Sequence, residues 1–502
     1  MTTQVHVAFL WHMHQPWYAL PGDAVNLLPW TRLRAVKDYT DMAAWLERSP
    51  VPVTVNFTPS LTEQLRRYAE GTLLDRYLPS RGDREAMADL RAGHVPLPVG
   101  RRGLPVPDLA RIRAAKGEDG DRTLLGWSLL AWLGQSVLDA EPGLRELWER
   151  GVFSRADLAA LEGRHLELVA GILPRYRRLA ADGTIELTAT PFYHPILPLL
   201  VDTAAARRSQ PHDELPAFSA PDDARDQVHR ALDHHAATFG RRPQGMWPAE
   251  GAVSADAAGL FAGQRVGWIA TDGGILARSL GRAPTPHELH RPWRLATPGG
   301  EITIVFRDTF LSNRISFDYG AWRPEDAAAD LLGRFQEVGR SWHGAPPLVL
   351  IAMDGENAWE FFDRNGEPFF AALYRALGRT PGIVPTTVSG YLARFGTEGM
   401  LGDLWAGSWI DADFRTWIGH PAQNRAWTLL AGARQAVADA PPGPARDRAR
   451  EHLLVAEGSD WFWWYGPHHS SLHEPLFDRL FRAHVAAAYR ELGHGVPPGL
   501  AV

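Results

Sequence analysis

The sequence contains no cysteine among its 502 residues. Disulfide bridges, thiolate nucleophiles and cysteine-ligated zinc sites are therefore excluded. An excess of basic residues is also missing, because 52 Lys and Arg residues face 58 Asp and Glu residues, for a formal net charge of -6. Nucleic-acid binding normally requires a basic face that neutralises phosphates. We therefore expect no nucleic-acid partner.

Long hydrophobic runs are missing as well. The longest helical stretch without charge, residues 123–138, is shorter than the roughly 20 apolar residues that a membrane span needs. The first residues lack the basic region and the cleavage site of a secretory signal peptide. We therefore expect no membrane partner and a cytoplasmic location, while oligomeric state leaves no signal in the sequence.

The composition that remains is that of a folded protein. Hydrophobic residues make up 45% and charged residues 22% of the chain, the balance of a protein that buries a core. At about 150 residues per domain the length suggests about three domains, and an α/β barrel with appended helices fits equally well. Tryptophan is abundant, with 20 residues. Indole rings stack on sugars and also fill large cores, so their number alone leaves both roles open.

Short apolar runs alternate with helical patterns along the chain. The runs cover residues 5–11, 51–57, 185–190, 245–248, 267–271, 302–306 and 348–353. Strands separated by helices indicate a parallel sheet or barrel. Several runs end in a polar or ionisable residue, and the carboxyl ends of the strands carry the active site of a (β/α) barrel. The pattern therefore predicts an α/β fold, a TIM-like barrel with one catalytic face.

Two helical regions accompany the predicted barrel. Between about residues 61 and 181 the chain is helical and longer than a simple crossover requires, which indicates an insertion. After about residue 398 the pattern is helical again. We therefore predict a catalytic barrel over residues 1–397 with a helical insertion at about 61–181. A C-terminal helical region over residues 398–502 is expected to pack against the barrel and contribute to the active-site cleft.

Two histidines, His12 and His14, lie at the end of the first predicted strand. Alternate side chains of a strand share a face, so these imidazoles converge. Such a pair suits a metal ion, and it equally suits hydrogen bonds to a sugar hydroxyl or a catalytic carboxylate. His194, which follows the strand predicted over residues 185–190, adds a third imidazole at a similar depth.

Two carboxylates lie at the ends of later strands. Glu250 follows Trp247 and Pro248, where a nucleophile is held rigidly, and a carboxylate at a helix N-terminus is the alternative. Asp354 ends a continuous apolar run, the mark of a strand buried on both faces. Burial raises the pKa of a carboxyl group, as a general acid near neutrality requires, and a capping carboxylate is the alternative.

Two carboxylates on separate strands of one barrel are the minimum equipment for glycoside hydrolysis. One attacks the sugar or activates water, and the other protonates the leaving oxygen. Glu356 is either a rival acid or a hydrogen-bonding partner of the sugar. Trp409 and the aromatic run from Trp461 to Tyr465 indicate sugar-stacking platforms, with a dry seam between helices and barrel as the alternative.

Five ordered segments resemble family 57 of the glycoside hydrolases. They are HMHQP at residues 12–16, YHP at 193–195, WPAE at 247–250, DGENAWE at 354–360 and SDWFWW at 459–464. Together they spread over nearly the whole chain. The resemblance implies an incomplete (β/α)7 barrel followed by helices, and catalysis with retention of anomeric configuration through a covalent glycosyl-enzyme intermediate.

The resemblance also implies roles for individual residues. Glu250 is expected to be the nucleophile and Asp354 the general acid/base. His12, His14, His194, Asp460 and Trp461 are expected from the resemblance to line the substrate site. Apart from the resemblance, we also expect Trp247, Glu356, Trp359 and Trp409 to bind the substrate. The mechanism of the family uses no metal, so we expect neither a metal site nor another cofactor.

Three segments resemble most closely the α-amylase and amylopullulanase type members: YHPILPLL at residues 193–200, DGENAWE at 354–360 and GSWIDADFRTWIG at 407–419. We therefore predict a retaining glycosidase that cleaves α-glucosidic bonds in α-glucans such as starch, glycogen and maltodextrins. An α-glucan transglycosylase, either a branching enzyme or a 4-α-glucanotransferase, is the alternative because these enzymes share both catalytic carboxylates. A metal-dependent deacetylase or mannosidase-like enzyme is a more distant alternative. Gly251 departs from the family pattern, in which many members carry a bulkier or sulfur-bearing residue after the nucleophile.

Overall fold

The computed structural model describes residues 3–340 and 342–500. A ring of parallel strands forms its centre. In chain order these strands are β1 (Val5–Met13), β2 (Val53–Phe57), β3 (Ile185–Ala189), β4 (Gly245–Met246), β5 (Trp268–Asp272), β6 (Gly300–Arg307) and β7 (Leu348–Asp354). Their spatial order is β7-β1-β2-β3-β4-β5-β6, and β6 pairs with β7 to close the barrel. All the predicted strands and the predicted (β/α)7 TIM-like barrel are confirmed.

Alternation along each strand separates the barrel interior from the surrounding helices. Ala8 and Leu10 of β1 lie in the interior, in a small apolar cluster with Trp268. Phe9 and Trp11 point the other way, into the larger core beneath the helices. The sequence of β1 is apolar on both faces because both faces are covered.

Register brings polar residues to one level at the carboxyl end of the barrel. His12 of β1 lies beside Asn56 of β2 on one side and beside Asp354 of β7 on the other. All three continue the alternation of inward-facing positions along their strands. This end of the barrel is therefore lined with titratable and hydrogen-bonding groups.

Short strands extend the barrel sheet at its outer side. Trp293–Thr297 pairs antiparallel with β6, Gly399–Leu401 pairs parallel with Trp293–Thr297, and Ile383–Thr386 pairs parallel with β1. Val25–Asn26 and Leu74–Asp75 form a separate two-stranded sheet. The chain beyond residue 398 thus begins with a strand that joins the barrel sheet.

Helices cover the first part of the barrel, and the stretch between β2 and β3 is mostly helical. The α-helices up to β3 are Trp30–Arg34, Thr40–Arg48, Pro59–Ala69, Arg84–Ala92, Leu109–Ala114, Gly117–Leu130, Gln135–Ala140, Pro142–Arg150 and Arg155–Ala181. The last of these is 27 residues long and begins at a capping box, in which Ser154 and Asp157 bond each other's backbone N–H groups.

The α-helices between β3 and the C-terminal region alternate with the remaining strands. They are Leu197–Val201, Pro221–Phe239, Ala255–Gly263, Gly273–Leu280, Pro286–Leu289, Thr309–Asn313, Pro324–Arg340, Glu367–Leu377 and Val388–Phe395. Val388–Phe395 covers the amino end of the barrel, where Ser389 contacts Glu186 of β3 and accepts a hydrogen bond from the indole of Trp268.

The C-terminal helices are Pro421–Asp439, Pro444–Ala456, Ser459–Trp463 and Glu474–Glu491. Leu430, Leu453 and Leu480 of these helices share one hydrophobic core with Ile269 of β5 and Ile304 of β6. The C-terminal region therefore packs directly on the outer face of the barrel. None of the helices in the described part of the chain has the length and apolarity that a bilayer span requires.

Candidate active site

Three imidazole rings stack at the carboxyl end of the barrel. The ring centroids of His14 and His194 are 3.8 Å apart with planes 11° from parallel, and those of His12 and His194 are 5.2 Å apart. His12 is held at Nδ1 by the amide oxygen of Asn56, at 2.7 Å. His194 is held at Nδ1 by the hydroxyl of Ser459, at 2.8 Å. The convergence predicted for His12, His14 and His194 is present.

The three rings differ in pKa. Burial and the neighbouring His14 lower the pKa of His12 to about 3, and burial likewise lowers the pKa of His194 well below its ordinary value. Burial also acts to lower the pKa of His14, but the adjacent Asp460 carboxylate, 2.8 Å from His14 Nε2, outweighs it and the pKa is raised. His14 is therefore the most readily protonated of the three rings.

His14, His194 and Asp460 are the one group among the described residues whose ligand atoms are close enough to share a metal ion. The geometry does not fit one. A metal ion lies in the plane of each imidazole that binds it. The ring planes of His14 and His194 are stacked one above the other, so a single ion does not lie in both planes. Asp460 is instead bonded directly to His14. This arrangement fits a charged hydrogen bond.

Glu250 lies in a tight turn between β4 and the helix Ala255–Gly263. Its backbone is left-handed, with φ of 55°, and so is that of Gly251, with φ of 58°. A non-glycine residue in this region costs about 1 to 3 kcal/mol and is found mainly at functional sites. Because the helix begins only at Ala255, Glu250 does not occupy the helix N-terminus that was the alternative.

Trp409, in the loop between the strand Gly399–Leu401 and the helix Pro421–Asp439, holds Glu250 in place. Its backbone N–H donates to the Glu250 carbonyl at 3.0 Å, and its indole N–H donates to the Glu250 carboxylate at 2.8 Å. The indole N–H is a donor only, so this bond favours the ionised carboxylate. Behind it, Trp247 packs edge-on against Trp409 at 5.1 Å.

Glu250 and Asp354 both have raised pKa values. Burial and the charge of Asp354 raise the pKa of Glu250 to about 8, against the lowering effects of Trp409 and His14. Burial raises the pKa of Asp354 to about 6, against the lowering effects of His14 and Arg307. The two carboxyl groups therefore interact, and together they keep one proton between about pH 6 and pH 8.

Glu356 follows Asp354 by two residues but is turned into the protein. Its oxygens accept hydrogen bonds from the His14 backbone N–H at 3.2 Å, the Gln15 amide at 2.7 Å and the Tyr39 hydroxyl at 2.9 Å. Burial raises its pKa to about 7. Because its oxygens are bonded to the protein, Glu356 fits a role in positioning the end of β1 better than the expected contact with sugar.

Arg307, the last residue of β6, is a site residue that the sequence did not reveal. Its Nε lies 3.0 Å from an Asp272 carboxylate oxygen, and its guanidinium carbon lies 5.0 Å from the Trp409 ring centroid. Its positive charge also lowers the pKa of Asp354. The available signal was its position at the end of a predicted strand.

The tryptophans expected at the substrate site divide into two groups. Trp409 is half-buried beside Glu250. Trp359 and Trp461, each 1% exposed, lie in the hydrophobic core. Trp359 packs against Trp11, and Trp461 donates its indole N–H to the Val455 carbonyl. Both rings are buried, and the expected contact of Trp359 and Trp461 with the substrate stays a prediction.

The aromatic run that begins at Trp461 packs against other C-terminal helices, and Trp463, Trp464 and Tyr465 are half-buried. This packing differs from the dry seam between helices and barrel that was the alternative to sugar-stacking platforms. Phe462 stacks on Trp427 at 4.4 Å, and Trp464 stacks on Phe477 at 5.3 Å. These contacts join the C-terminal helices to one another. From this region, Asp460 and Ser459 are the residues that reach the histidine cluster.

A closed parallel barrel with interacting carboxyl groups at the carboxyl ends of its strands defines a barrel enzyme. Residues 8–404 match the family described as glycosyl hydrolase family 57. The chain therefore belongs to this family, as the ordered segments predicted.

Solved structures with the same fold extend over the whole chain. A branching enzyme of this family from the archaeon Pyrococcus horikoshii has a TM-score of 0.63 and 16% identity, covering 97% of this chain and 89% of that one. The α-amylase AmyC from Thermotoga maritima has a TM-score of 0.61 and 12% identity, covering 100% and 95%. A 4-α-glucanotransferase from Thermococcus litoralis has a TM-score of 0.58 and 15% identity, covering 98% and 60%. No curated protein matches the sequence.

Proposed function

We propose that this protein is a retaining glycosidase that cleaves α-glucosidic bonds in α-glucans. The observation that carries the proposal is the pair Glu250 and Asp354, two partly buried carboxyl groups at one end of the barrel with pKa values raised to about 8 and about 6. Two carboxyl groups, one ionised and one protonated, are what this chemistry requires. Membership of the family and the fold shared with an α-amylase support an α-glucan as the substrate.

In the proposed first step Glu250 attacks the anomeric carbon while Asp354 protonates the glycosidic oxygen. The C–O bond to the leaving sugar breaks, and a covalent bond to a Glu250 oxygen forms. In the second step Asp354 takes a proton from water, the water oxygen attacks the anomeric carbon, and Glu250 is released.

The proton distribution of the free enzyme bears on the first step. The pKa of Glu250, about 8, lies above that of Asp354, about 6, so Glu250 is the more readily protonated of the two groups. The reaction needs the proton on Asp354. The hydrogen bond from Trp409 and the charge of His14 both favour ionised Glu250. We propose that Trp409 and His14 favour the reactive arrangement, in which Glu250 is ionised and Asp354 carries the proton.

The surrounding residues fit supporting roles. His14, Asp460 and Trp409 are partly exposed beside the carboxyl groups and are the residues we propose to contact the sugar. His12, His194, Trp247 and Glu356 lie behind them and hold them in place. Because Asp460 comes from the C-terminal helical region, we propose that this region is part of the catalytic unit.

The sugar acceptor distinguishes a hydrolase from a transglycosylase. Both use the same first step, and the second differs only in whether water or a sugar hydroxyl attacks the intermediate. The similarity of fold to a branching enzyme and a 4-α-glucanotransferase keeps transfer as the second candidate. Incubation with maltoheptaose separates the two, because hydrolysis gives only shorter products and transfer also gives longer or branched ones.

The test is a substrate panel of glycogen, pullulan, amylose and short maltodextrins with product sizing. We expect Asp354→Asn to lower kcat by about 10²- to 10⁴-fold and Glu250→Gln by at least as much. Glu301→Gln, which changes an exposed carboxylate at the amino end of β6, serves as the matched control and should keep full activity. A Glu250→Gln protein with the wild-type rate would refute the proposal.

A further inference from the structure

Four aromatic rings stand out by their exposure. Among residues 3–340 and 342–500, the largely exposed aromatic side chains are Phe317 at 81%, Phe361 at 64%, Phe310 at 57% and Trp322 at 43%. All four lie in two segments, residues 310–322 and residue 361. These segments follow β6 and β7, the strands that end in Arg307 and Asp354. We call these four side chains the rim aromatics.

The rim aromatics form one surface because the two segments touch. A Cβ atom at Gly320 would lie 3.3 Å from the Cβ of Phe361. Arg101 donates hydrogen bonds to the carbonyls of both residues. The guanidinium of Arg314 lies 5.8 Å from the Phe310 ring and 5.0 Å from the Trp322 ring. The two segments are therefore in contact, which places the rim aromatics on neighbouring parts of the surface.

The same surface adjoins the catalytic end of the barrel. The Ser316 hydroxyl lies 3.7 Å from the sulfur of Met353, the residue before Asp354. The Ser312 hydroxyl accepts the backbone N–H of Ala352 at 3.3 Å. Segment 310–322 thus contacts the last residues of β7, and Phe310 and Phe317 lie two residues and one residue from these serines.

The charges beneath the rim aromatics are paired. Arg314 lies 3.1 Å from Asp318 and 3.2 Å from Asp330, and Arg334 lies 2.8 Å from Asp330. The cations that cover one face of Phe310 are therefore neutralised by carboxylates. Exposed flat rings above paired charges suit an uncharged ligand with apolar faces, and pyranose rings have this character.

We propose that the rim aromatics bind a remote part of an α-glucan chain whose scissile bond lies at Glu250 and Asp354. This inference rests on the proposed function and adds to it a preference for long chains over short ones. A short maltodextrin that fills the cleft does not reach the rim, whereas a polymer continues along it. Each ring that stacks on a sugar then strengthens binding of the polymer alone.

The experiment compares kcat/KM on amylose with kcat/KM on maltotetraose. The variants are Phe317→Ala, Trp322→Ala, Phe361→Ala and the triple combination. Leu472→Ala and Val152→Ala remove exposed apolar side chains outside the rim and are the matched controls. Binding is measured separately by retardation of the Asp354→Asn protein, with and without the rim substitutions, in native gels that contain glycogen.

We expect the amylose-to-maltotetraose ratio to fall by about fivefold to tenfold in the triple variant. Retardation by glycogen should be lost in the same variant, and Phe317→Tyr, which keeps a ring, should retain both properties. Melting temperatures verify that each variant is folded. An unchanged ratio with unchanged retardation overturns the proposal.

Two further outcomes are distinguishable. If the wild-type protein is a dimer and the rim substitutions make it monomeric in light scattering, the rings cover a second copy and the proposal is wrong. If the wild-type protein acts on none of the α-glucans, the proposed function fails, and glycogen retardation alone decides whether the rim binds polysaccharide.

Discussion

At the scale of single residues, the protonation states of Glu250 and Asp354 control the proposed mechanism. Below the lower pKa, about 6, both groups are protonated and no carboxylate is left to attack. Above the upper pKa, about 8, both are ionised and no acid is left to protonate the leaving oxygen. In this mechanism only the pair with a single proton is active, and the two pKa values describe the pair as a whole.

We therefore predict a bell-shaped dependence of kcat/KM on pH. The acidic limb should fall near pH 6 and the basic limb near pH 8, since these are the limits of the singly protonated form in the free enzyme. Initial rates on maltoheptaose at low substrate concentration between pH 4 and pH 10 measure both limbs. Activity that stays constant from pH 5 to pH 9 would contradict the assignment.

Trp409→Phe gives this prediction a directional test. The indole bond lowers the pKa of Glu250, so its removal should move the basic limb to higher pH while the maximal rate decreases. Trp464→Phe is the matched control, because Trp464 stacks on Phe477 in the seam between the C-terminal helices. Its pH profile should coincide with that of the wild type.

At the scale of elements, the sequence determined the strands well and the contacts between them poorly. Each strand is an apolar run bounded by helical patterns, so its existence is a local property. That Arg307 meets Asp272 and Trp409 depends on the closure of the barrel between β6 and β7. No local pattern distinguishes such an arginine from one on the surface.

The aromatic run that begins at Trp461 is a second case in which the local sequence pattern does not determine the contacts. A continuous run from Trp461 is compatible with a cleft or with a packed seam, and only the positions of Trp427 and Phe477 decide between them. In the same helix, Ser459 reaches His194 across 265 positions of sequence. His194 was predicted from its position after a strand, whereas Ser459 was not predicted as a site residue.

The turn that carries Glu250 yields a prediction for Gly251. This residue is left-handed, and a Cβ there would lie 3.2 Å from the Trp247 ring and 3.4 Å from the Trp409 Cβ. We expect Gly251→Ala to cost about 1 to 2 kcal/mol of stability. It should also lower kcat, because the turn and Trp409 together hold the Glu250 carboxylate.

Gly281→Ala is the control for this prediction. Gly281 is left-handed too, with φ of 68°, but a Cβ there would meet nothing within 4 Å. It lies at the end of the helix Gly273–Leu280, so the backbone cost is similar while the site is untouched. Chemical denaturation and steady-state kinetics on both variants separate the two effects. A Gly251→Ala enzyme with wild-type kcat would show that the turn does not position the carboxylate.

At the scale of the whole molecule, the barrel and the C-terminal helices are one packing unit. Leu480 is fully buried in the core that also contains Ile269 and Ile304 of the barrel. His484, in the same helix, bonds the Ala19 carbonyl near the end of β1 at 3.0 Å. The helices therefore stabilise the barrel as well as supplying Asp460 to the site.

We predict from this shared core that the two regions unfold together. Leu480→Ala should remove about 2 to 5 kcal/mol of stability by leaving a cavity, and the whole chain should melt in one transition at a lower temperature. Calorimetry records the number of transitions, and glycosidase activity after heating reports the barrel. Leu472→Ala, at an exposed leucine, should leave the transition in place. Two separate transitions, with only one shifted by Leu480→Ala, would mean that the barrel is stable without its C-terminal helices.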